Sequence, residues 1–193
     1  MAAKRTLDLV GASLGLVVAS LPMAGIALAV RLTMGRPVLF RQGRPGLDGE
    51  PFILVKFRTM RPGPGDDAAR LTRLGRFLRS SSLDELPELW NVAVGDMSLV
   101  GPRPLLMEYL DRYSPRQARR HEVRPGLTGL AQVEGRNTVA WEDRFELDVR
   151  YVETRSFALD LRIIARTVGA VLRREGISGD GEATMTPFQG SAS

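Results

Sequence analysis

The sequence predicts an α+β fold that is mainly helical, with an N-terminal re-entrant membrane helix, interfacial amphipathic helices and a small β-hairpin. Three observations predict it: a long uncharged run at the N-terminus, several segments with apolar residues at helical spacing, and two short β-type runs around a turn within residues 35–60. At 193 residues the chain can form one domain with a sizeable core. We expect residues 1–35 to form the membrane helix, residues 36–176 a domain at the cytoplasmic face, and residues 177–193 a loose tail.

The composition excludes several kinds of site. The chain has no Cys, which rules out disulfides, thiolate metal sites and a cysteine nucleophile. The single histidine, His121, lies in a run with Arg116, Arg119, Arg120 and Arg124, so we expect it on a solvated face and not in a triad. Lys and Arg total 27 against 22 acids, a formal charge of +5. This excess is typical of a protein with an anionic partner such as phospholipid, nucleotide or nucleic acid.

The uncharged run from Leu9 to Val30 holds 22 residues, enough to cross a bilayer as a helix at about 1.5 Å per residue. Pro22 interrupts it and removes a backbone hydrogen bond. Both flanks are basic, and basic flanks prefer the cytoplasmic side. We therefore expect the segment to enter the membrane and turn back near Ser20–Pro22, with Ser20 bonding carbonyls that the proline frees. A kinked span, a signal peptide and a buried helix of a soluble protein are the alternatives.

Residues 35–60 read as a hairpin. Val38–Phe40 and Phe52–Val55 are short apolar runs around a turn rich in Pro, Gly and Asp. Lys56 and Arg58 follow two residues apart, so they point to one face of the second strand. That face is either a solvated strand edge or a positively charged surface that binds a diphosphate.

Helical periodicity predicts most of the remaining elements. We expect a helix from Asp67 to Arg79 in which apolar residues alternate with arginines, typical of a helix in a membrane interface and equally of one packed on a core. The other predicted elements are helices at 105–113, 116–123, 141–153 and 157–174, the last capped by Ser156, and a short buried strand at 130–133.

The central stretch, Ser80–Pro104, places the adjacent acids Asp84 and Glu85 between Arg79 and Arg103. Prolines on both sides of Arg103 hold it in a stiff, non-helical turn. Guanidinium groups match phosphate oxygens in pairs, so the pattern indicates a site for an anionic substrate. The structural alternative is a capping box formed by Ser82 and Glu85, or a helix that begins near Pro87. A helix N-terminus can serve both roles.

The sequence resembles the bacterial sugar transferases, which are small monotopic phosphoglycosyl transferases. The matching motifs run almost from end to end: Lys4–Arg5 with Asp8, the Pro-broken apolar run, Arg44–Gly46, Lys56–Met60, Ser82–Pro87, Trp90–Val92, Gly95–Ser98, Val100–Pro104, Arg124–Gly129, Gln132–Val133 and Gly135–Asn137. The order and number of these motifs make the resemblance specific. One departure is visible: many members have an adjacent Ser-Pro pair, whereas Leu21 separates Ser20 from Pro22 here.

The resemblance implies transfer of a sugar-1-phosphate from a UDP-sugar to polyprenyl (undecaprenyl) phosphate, with release of UMP. It implies Asp84 as the nucleophile that forms a covalent phosphosugar intermediate, with Mg²⁺ held at Asp84 and Glu85. Lys56, Arg79, Arg103 and Arg136 would bind diphosphate, lipid phosphate or nucleotide, and Arg58 follows by proximity. The implied location is the cytoplasmic face of a bacterial inner membrane. The sugar, the polyprenol length, the glycan pathway, the oligomeric state and the role of Glu85 stay open.

Two other classes compete with this interpretation. A membrane-surface scaffold explains the basic helices but not two acids placed between arginines and a double-proline turn. A nucleic-acid-binding module fits the positive charge, yet aromatic residues make up only 6% of the chain and no nucleic-acid motif is present. We therefore expect no nucleic-acid partner.

Overall fold

The computed structural model describes residues 2–134, 140–173 and 188–190, and this part of the chain is α+β and mainly helical, as predicted. The helices are α1 Ala2–Met34, α2 Asp67–Arg70, α3 Arg73–Ser80, α4 Glu88–Val94, α5 Pro115–Ala118, α6 Leu130–Glu134, α7 Trp141–Thr154 and α8 Phe157–Arg173. The strands are β1 Leu39–Pro45, β2 Pro51–Phe57, β3 Ser98–Val100 and β4 Gly126–Thr128. They form two small sheets, β1–β2 antiparallel and β3–β4 parallel.

Helix α1 continues through Pro22 and is long and apolar enough to cross a membrane. Because proline has no N–H, the carbonyl of Val18 loses its helical partner at this point. The Ser20 hydroxyl donates to the Val17 carbonyl at 2.7 Å, so the expected contact with the freed carbonyl is wrong. The predicted turn-back of the chain at Ser20–Pro22 stays a prediction.

The N-terminal end of α1 is anchored by charged side chains. The Lys4 ammonium donates to Asp160 at 2.8 Å and to the Val100 carbonyl at 3.0 Å. Arg5 donates to the last carbonyls of α4, and Asp8 accepts from the Ser98 hydroxyl at 2.9 Å. The basic N-terminal flank therefore belongs to the fold itself.

The C-terminal end of α1 packs on the same body. Val30 is fully buried against Phe57 and Leu78. Arg58 lies just beyond β2, and its guanidinium donates to the carbonyls of Met34, Gly35 and Arg36 at the end of α1. These bonds satisfy acceptors that a helix end leaves open. Both ends of α1 are thus fixed to one folded unit.

The predicted hairpin is confirmed, with Leu39 opposite Phe57 and Phe40 opposite Lys56. The Asn91 side chain joins it to α4, accepting from the Val55 N–H at 3.1 Å and donating to the Ile53 carbonyl at 2.8 Å. Because these bonds hold β2 one residue before Lys56, α4 fixes the position of that lysine.

The helix predicted from Asp67 to Arg79 is instead two helices, α2 and α3. Thr72 breaks it because its hydroxyl accepts from the Gly75 N–H at 2.9 Å and caps α3. A Cβ on Gly75 would lie 1.9 Å from the Thr59 carbonyl oxygen, so only glycine permits this contact. The close approach brings the Arg79 Nε within 3.1 Å of the Thr59 hydroxyl.

The parallel sheet β3–β4 is absent from the sequence-based predictions, and the strand predicted at 130–133 is wrong, because these residues lie in α6. The two strands approach closely at glycines. A Cβ on Gly101 would lie 2.4 Å from the Arg124 carbonyl oxygen, and one on Gly126 would lie 2.1 Å from the Gly101 nitrogen. The sheet therefore holds the segment Gly101–Pro104 against the chain around Gly126.

Two other predictions, the helices at 105–113 and 116–123 and the solvated face around His121, are wrong in part. Residues 105–113 contain a 3-10 turn, Met107–Arg112, and residues 116–123 contain the short helix α5 and a second 3-10 turn. The basic run around His121 is also not a uniform solvated face. Arg120 is 2% exposed, and burial lowers the pKa of His121 to about 4, helped by the Arg120 charge.

Helices α7 and α8 are confirmed close to their predicted bounds, and Ser156 accepts from the Leu159 N–H at 3.2 Å as a cap. The predicted loose tail is wrong for residues 188–190. Phe188 is 2% exposed and lies within an aromatic cluster with Tyr109, Tyr113, Trp141 and Phe145.

Candidate active site

Asp84 and Glu85 lie on a 3-10 turn, Leu83–Glu85, between α3 and α4. Ser82 has φ 55° and makes no side-chain cap, so the capping-box alternative is wrong. Helix α4 begins directly after Pro87, as the second structural alternative predicted. The turn places Glu85 in contact with Lys56 of the hairpin and with Arg103 of the segment after β3.

Glu85 is the acid that holds the cations. Its Oε1 lies 2.9 Å from the Lys56 ammonium, and the Arg103 guanidinium approaches both of its oxygens. Burial acts to raise the pKa of Glu85, but the Arg103 and Lys56 charges outweigh it and hold the pKa well below its usual range. Glu85 is therefore ionised throughout the neutral range.

Asp84 has the opposite environment. It is 8% exposed, and within the described ranges no hydrogen bond or ion pair holds its carboxylate. Burial and the neighbouring Glu85 charge raise its pKa, and the charges of Lys56, Arg103 and Arg79 only partly offset this. A carboxylate close to three cations but bonded to none of them retains its lone pairs for another atom.

Arg103 is held by its backbone. Its carbonyl accepts from Arg120 at 2.7 Å, and the carbonyls of its proline neighbours accept from Gly126 and, at 3.5 Å, from Arg44. The guanidinium is thus presented to Glu85 from a fixed turn, as the double-proline motif predicted.

The structure brings together Asp84, Glu85, Lys56, Arg79 and Arg103 from the predicted set. It does not bring Arg58 to the acids, because that guanidinium is committed to the C-terminal carbonyls of α1. We correct its predicted substrate-binding role to a structural one. Arg136 lies outside the described residues.

Glu88 is the site residue that sequence reasoning missed. It is 2% exposed, and its Oε1 forms an ion pair with the Lys56 ammonium at 2.9 Å. Burial, then the Glu85 charge, raises the pKa of Glu88 to about 7. In the sequence it is a first-turn helix residue, a common surface position. Two further cations lie near this site: burial, then the Arg103 charge, lowers the pKa of Arg44 and of Arg144.

We predict that Glu88→Gln makes stability less dependent on pH. Because the folded pKa of Glu88 is raised to about 7 from 4.5, the wild type should lose stability as pH rises from about 4.5 to about 7 and little more above that. The variant should be more stable than wild type at pH 8, by roughly 3 kcal/mol at full ionisation, and equal to it near pH 4. Denaturant unfolding at both pH values measures this. A variant that is less stable at pH 8 would contradict the buried, partly protonated state of Glu88.

Few oxygens of the described residues near the two acids are available to bind a metal ion, so a bound cation would take most of its ligands from the substrate. The described ranges contain no group of three or more acidic, His or Cys side chains placed to bind one metal. Asp84 has unshared carboxylate oxygens, whereas the Glu85 oxygens already contact Lys56 and Arg103. Mg²⁺ is commonly bound by one or two carboxylates together with substrate phosphates, and Asp84 fits that arrangement better than Glu85 does.

Comparison with known proteins identifies the family. The family model described as bacterial sugar transferase matches residues 1–174. An uncharacterized sugar transferase, EpsL, of Bacillus subtilis is 52% identical over 99% of this chain and 98% of its own length. A protein of Caulobacter vibrioides named UDP-glucose:undecaprenyl-phosphate glucose-1-phosphate transferase is 46% identical over 88% of this chain and 69% of its own. One of that name in Klebsiella pneumoniae is 42% identical over 87% of this chain and 40% of its own.

These matches make the protein an enzyme of the transferase class. It belongs to the bacterial sugar transferase family.

Proposed function

We propose that this enzyme transfers a sugar-1-phosphate from a UDP-sugar to polyprenyl phosphate, giving a polyprenyl-diphosphate-linked sugar and UMP. The observation that carries the proposal is the unbonded Asp84 carboxylate beside a Glu85 that fixes Lys56 and Arg103. The names of the Caulobacter and Klebsiella relatives support the same substrates. The product would be the first lipid-linked intermediate of glycan assembly.

The transfer consists of two displacements at one phosphorus. A carboxylate oxygen of Asp84 attacks the phosphorus that carries the sugar, and the bond from this phosphorus to the bridging oxygen breaks, so UMP leaves with that oxygen. A phosphate oxygen of the polyprenyl phosphate then attacks the same phosphorus. The bond to Asp84 breaks and restores the carboxylate. Neither step needs an added proton, so the enzyme requires no general base.

The surrounding residues reduce the repulsion between a carboxylate and an anionic diphosphate. Lys56, Arg103 and Arg79 place positive charge around the reacting phosphoryl group, where it stabilises the transition state. Glu85 acts as the residue that orients Lys56 and Arg103, because its lowered pKa makes it a poor base. Mg²⁺, held by Asp84 and the substrate phosphates, would supply further charge neutralisation.

The apolar surface supports a position at a membrane. The outer side of α1 exposes Leu14, Val17, Val18 and Leu21, the last 81% exposed. Helix α8 exposes a second apolar row, Phe157, Leu161, Val168 and Val171. Both ends of α1 are fixed to one body, which is difficult for a helix whose ends lie on opposite sides of a bilayer. We propose a monotopic protein, re-entrant through α1, with Arg31 and Arg36 at the cytoplasmic face of the inner membrane.

A screen of UDP-sugars with undecaprenyl phosphate and Mg²⁺, read as UMP released, tests the proposal. One or more UDP-sugars should give UMP: up to one equivalent per enzyme without the lipid phosphate, and many equivalents with it. Absence of UMP with every UDP-sugar would favour a non-catalytic role at the membrane. Release of many equivalents of UMP per enzyme without the lipid phosphate would contradict transfer to a lipid acceptor.

A further inference from the structure

Phe188, five residues before the last residue of the sequence, fills an aromatic pocket next to the candidate active site. Its ring centroid lies 4.9 Å from that of Phe145, 5.7 Å from Tyr109 and 5.9 Å from both Tyr113 and Trp141. The contacts with Phe145 and Tyr109 are edge-to-face, the favourable geometry for aromatic rings.

Backbone hydrogen bonds fix the segment as well. The Phe188 N–H donates to the Tyr109 hydroxyl at 3.1 Å, and the Phe188 carbonyl accepts from Arg112 at 2.6 Å. A buried ring and two backbone hydrogen bonds therefore hold Phe188 in one specific position.

The pocket is directly connected to Arg103. Two of its rings, Tyr113 and Phe145, lie 5.7 and 5.6 Å from the Arg120 guanidinium, within cation–π range. Arg120 also donates to the Tyr113 hydroxyl at 3.2 Å and to the Arg103 carbonyl at 2.7 Å. Arg103 in turn contacts Glu85. The contacts form an unbroken series from the docked ring to the acid pair.

We propose that Phe188 is a positioning residue of the enzyme: docked in its pocket, it fixes Tyr113 and Phe145 against Arg120, which in turn fixes Arg103 at the acid pair. The inference rests on the proposed function, because it assigns Phe188 an effect on the same transfer reaction. Undocking leaves the site residues present but less well placed, so turnover should fall more than substrate binding.

The first experiment compares Phe188→Ala, Phe188→Leu and Gln189→Ala in the full chain. Phe188→Ala should lower kcat about 10- to 100-fold with little change in KM, as expected for a misplaced catalytic group. Phe188→Leu retains an apolar side chain and should recover most of kcat. Gln189 is exposed, so its alanine variant should match wild type. Wild-type kcat in Phe188→Ala would overturn the proposal.

The second experiment asks whether the effect passes through Arg103. In a double-mutant cycle, Phe188→Ala should cost much less kcat in an Arg103→Ala background than in wild type. An equal cost in both backgrounds would overturn the proposed route, because a ring that only stabilises the fold has no reason to depend on Arg103.

The third experiment measures docking without the reaction. In the full chain, Trp90→Phe leaves Trp141 as the remaining tryptophan. In this background Phe188→Ala should change Trp141 emission, because the ring contact at 5.9 Å is lost, and Gln189→Ala should not. Unchanged emission in Phe188→Ala would overturn the docking. Wild-type protein that releases no UMP would instead contradict the proposed function, and the emission change would still report on docking.

Discussion

Replacement of Asp84 by Asn should reduce turnover by at least about 10⁴-fold, the scale of loss when a covalent nucleophile is removed from an enzyme. The amide retains the size of the side chain but cannot displace UMP from the diphosphate. Wild type incubated with a UDP-sugar labelled in the sugar-bearing phosphate, without lipid acceptor, should retain label on the protein. The Asp84→Asn variant should retain none.

The same variant should not be destabilised. Burial and Glu85 raise the pKa of Asp84, so its ionised form is disfavoured in the folded protein. Ionised Asp84 therefore lowers the stability of the folded protein above its folded pKa, and a neutral amide removes that cost. Asp84→Asn should therefore unfold at the same temperature as wild type or higher at pH 8, while activity is lost. Label retained by Asp84→Asn would place the covalent attachment on another residue.

Two control variants make the result specific. Asp67→Asn changes a half-buried acid on α2 whose ion pair is with Arg70 of the same helix, and should leave both activity and label unchanged. Glu85→Gln should lose activity through misplaced Lys56 and Arg103, about 10²-fold. Unlike Asp84→Asn, it should still form the labelled intermediate, although slowly, because the nucleophile remains.

Much of this site could be predicted from the sequence, because its residues are close together in the chain or lie in turns that nearby residues determine. The double-proline turn around Arg103 and the start of α4 at Pro87 are properties of the residues themselves. The hairpin and helices α7 and α8 followed from periodicity over segments long enough to show it. The roles of Asp84 and Glu85 then rested on a family resemblance.

The features that sequence reasoning missed depend on contacts between distant segments. Strands β3 and β4 have three residues each, which is too short for a period, and their pairing depends on Gly101 meeting Gly126. Glu88 and Arg120 are charged residues in polar patterns that ordinarily face water. Only the packed structure shows each one buried, because the partner that compensates it lies far away in sequence.

The buried ion pair between Arg120 and Asp148 should give the largest effects on stability. Arg120 donates to one Asp148 oxygen through Nε at 3.0 Å and through Nη2 at 2.7 Å, and both side chains are almost fully buried. Burial lowers the pKa of Arg120, but the charge of Asp148, the Tyr113 hydroxyl and the hydrogen bonds to both together outweigh burial and raise it, so Arg120 is charged. Burial raises the pKa of Asp148, and the Arg120 charge only partly offsets this. Asp148→Asn leaves a buried cation without its counter-ion and should cost about 3–5 kcal/mol.

The two single variants should differ, because arginine cannot lose its charge in a protein whereas a buried aspartate can gain a proton. Arg120→Met should therefore be less damaging than Asp148→Asn, and its deficit should shrink as pH falls from 8 to 5. The double variant, Arg120→Met with Asp148→Asn, buries no charge and should be more stable than Asp148→Asn alone. Denaturant unfolding at both pH values, with the exposed pair variant Glu146→Gln as a wild-type-like control, measures the series.

Measuring kcat alongside stability shows whether the Arg120–Asp148 pair only stabilises the fold or also positions Arg103. The stable double variant still lacks the bond from Arg120 to the Arg103 carbonyl, which is 2.7 Å in the wild type. Its kcat should therefore stay below wild type although its stability recovers. If kcat recovers together with stability, Arg120 serves the fold alone, and Arg103 is held by its prolines and by the β3–β4 sheet.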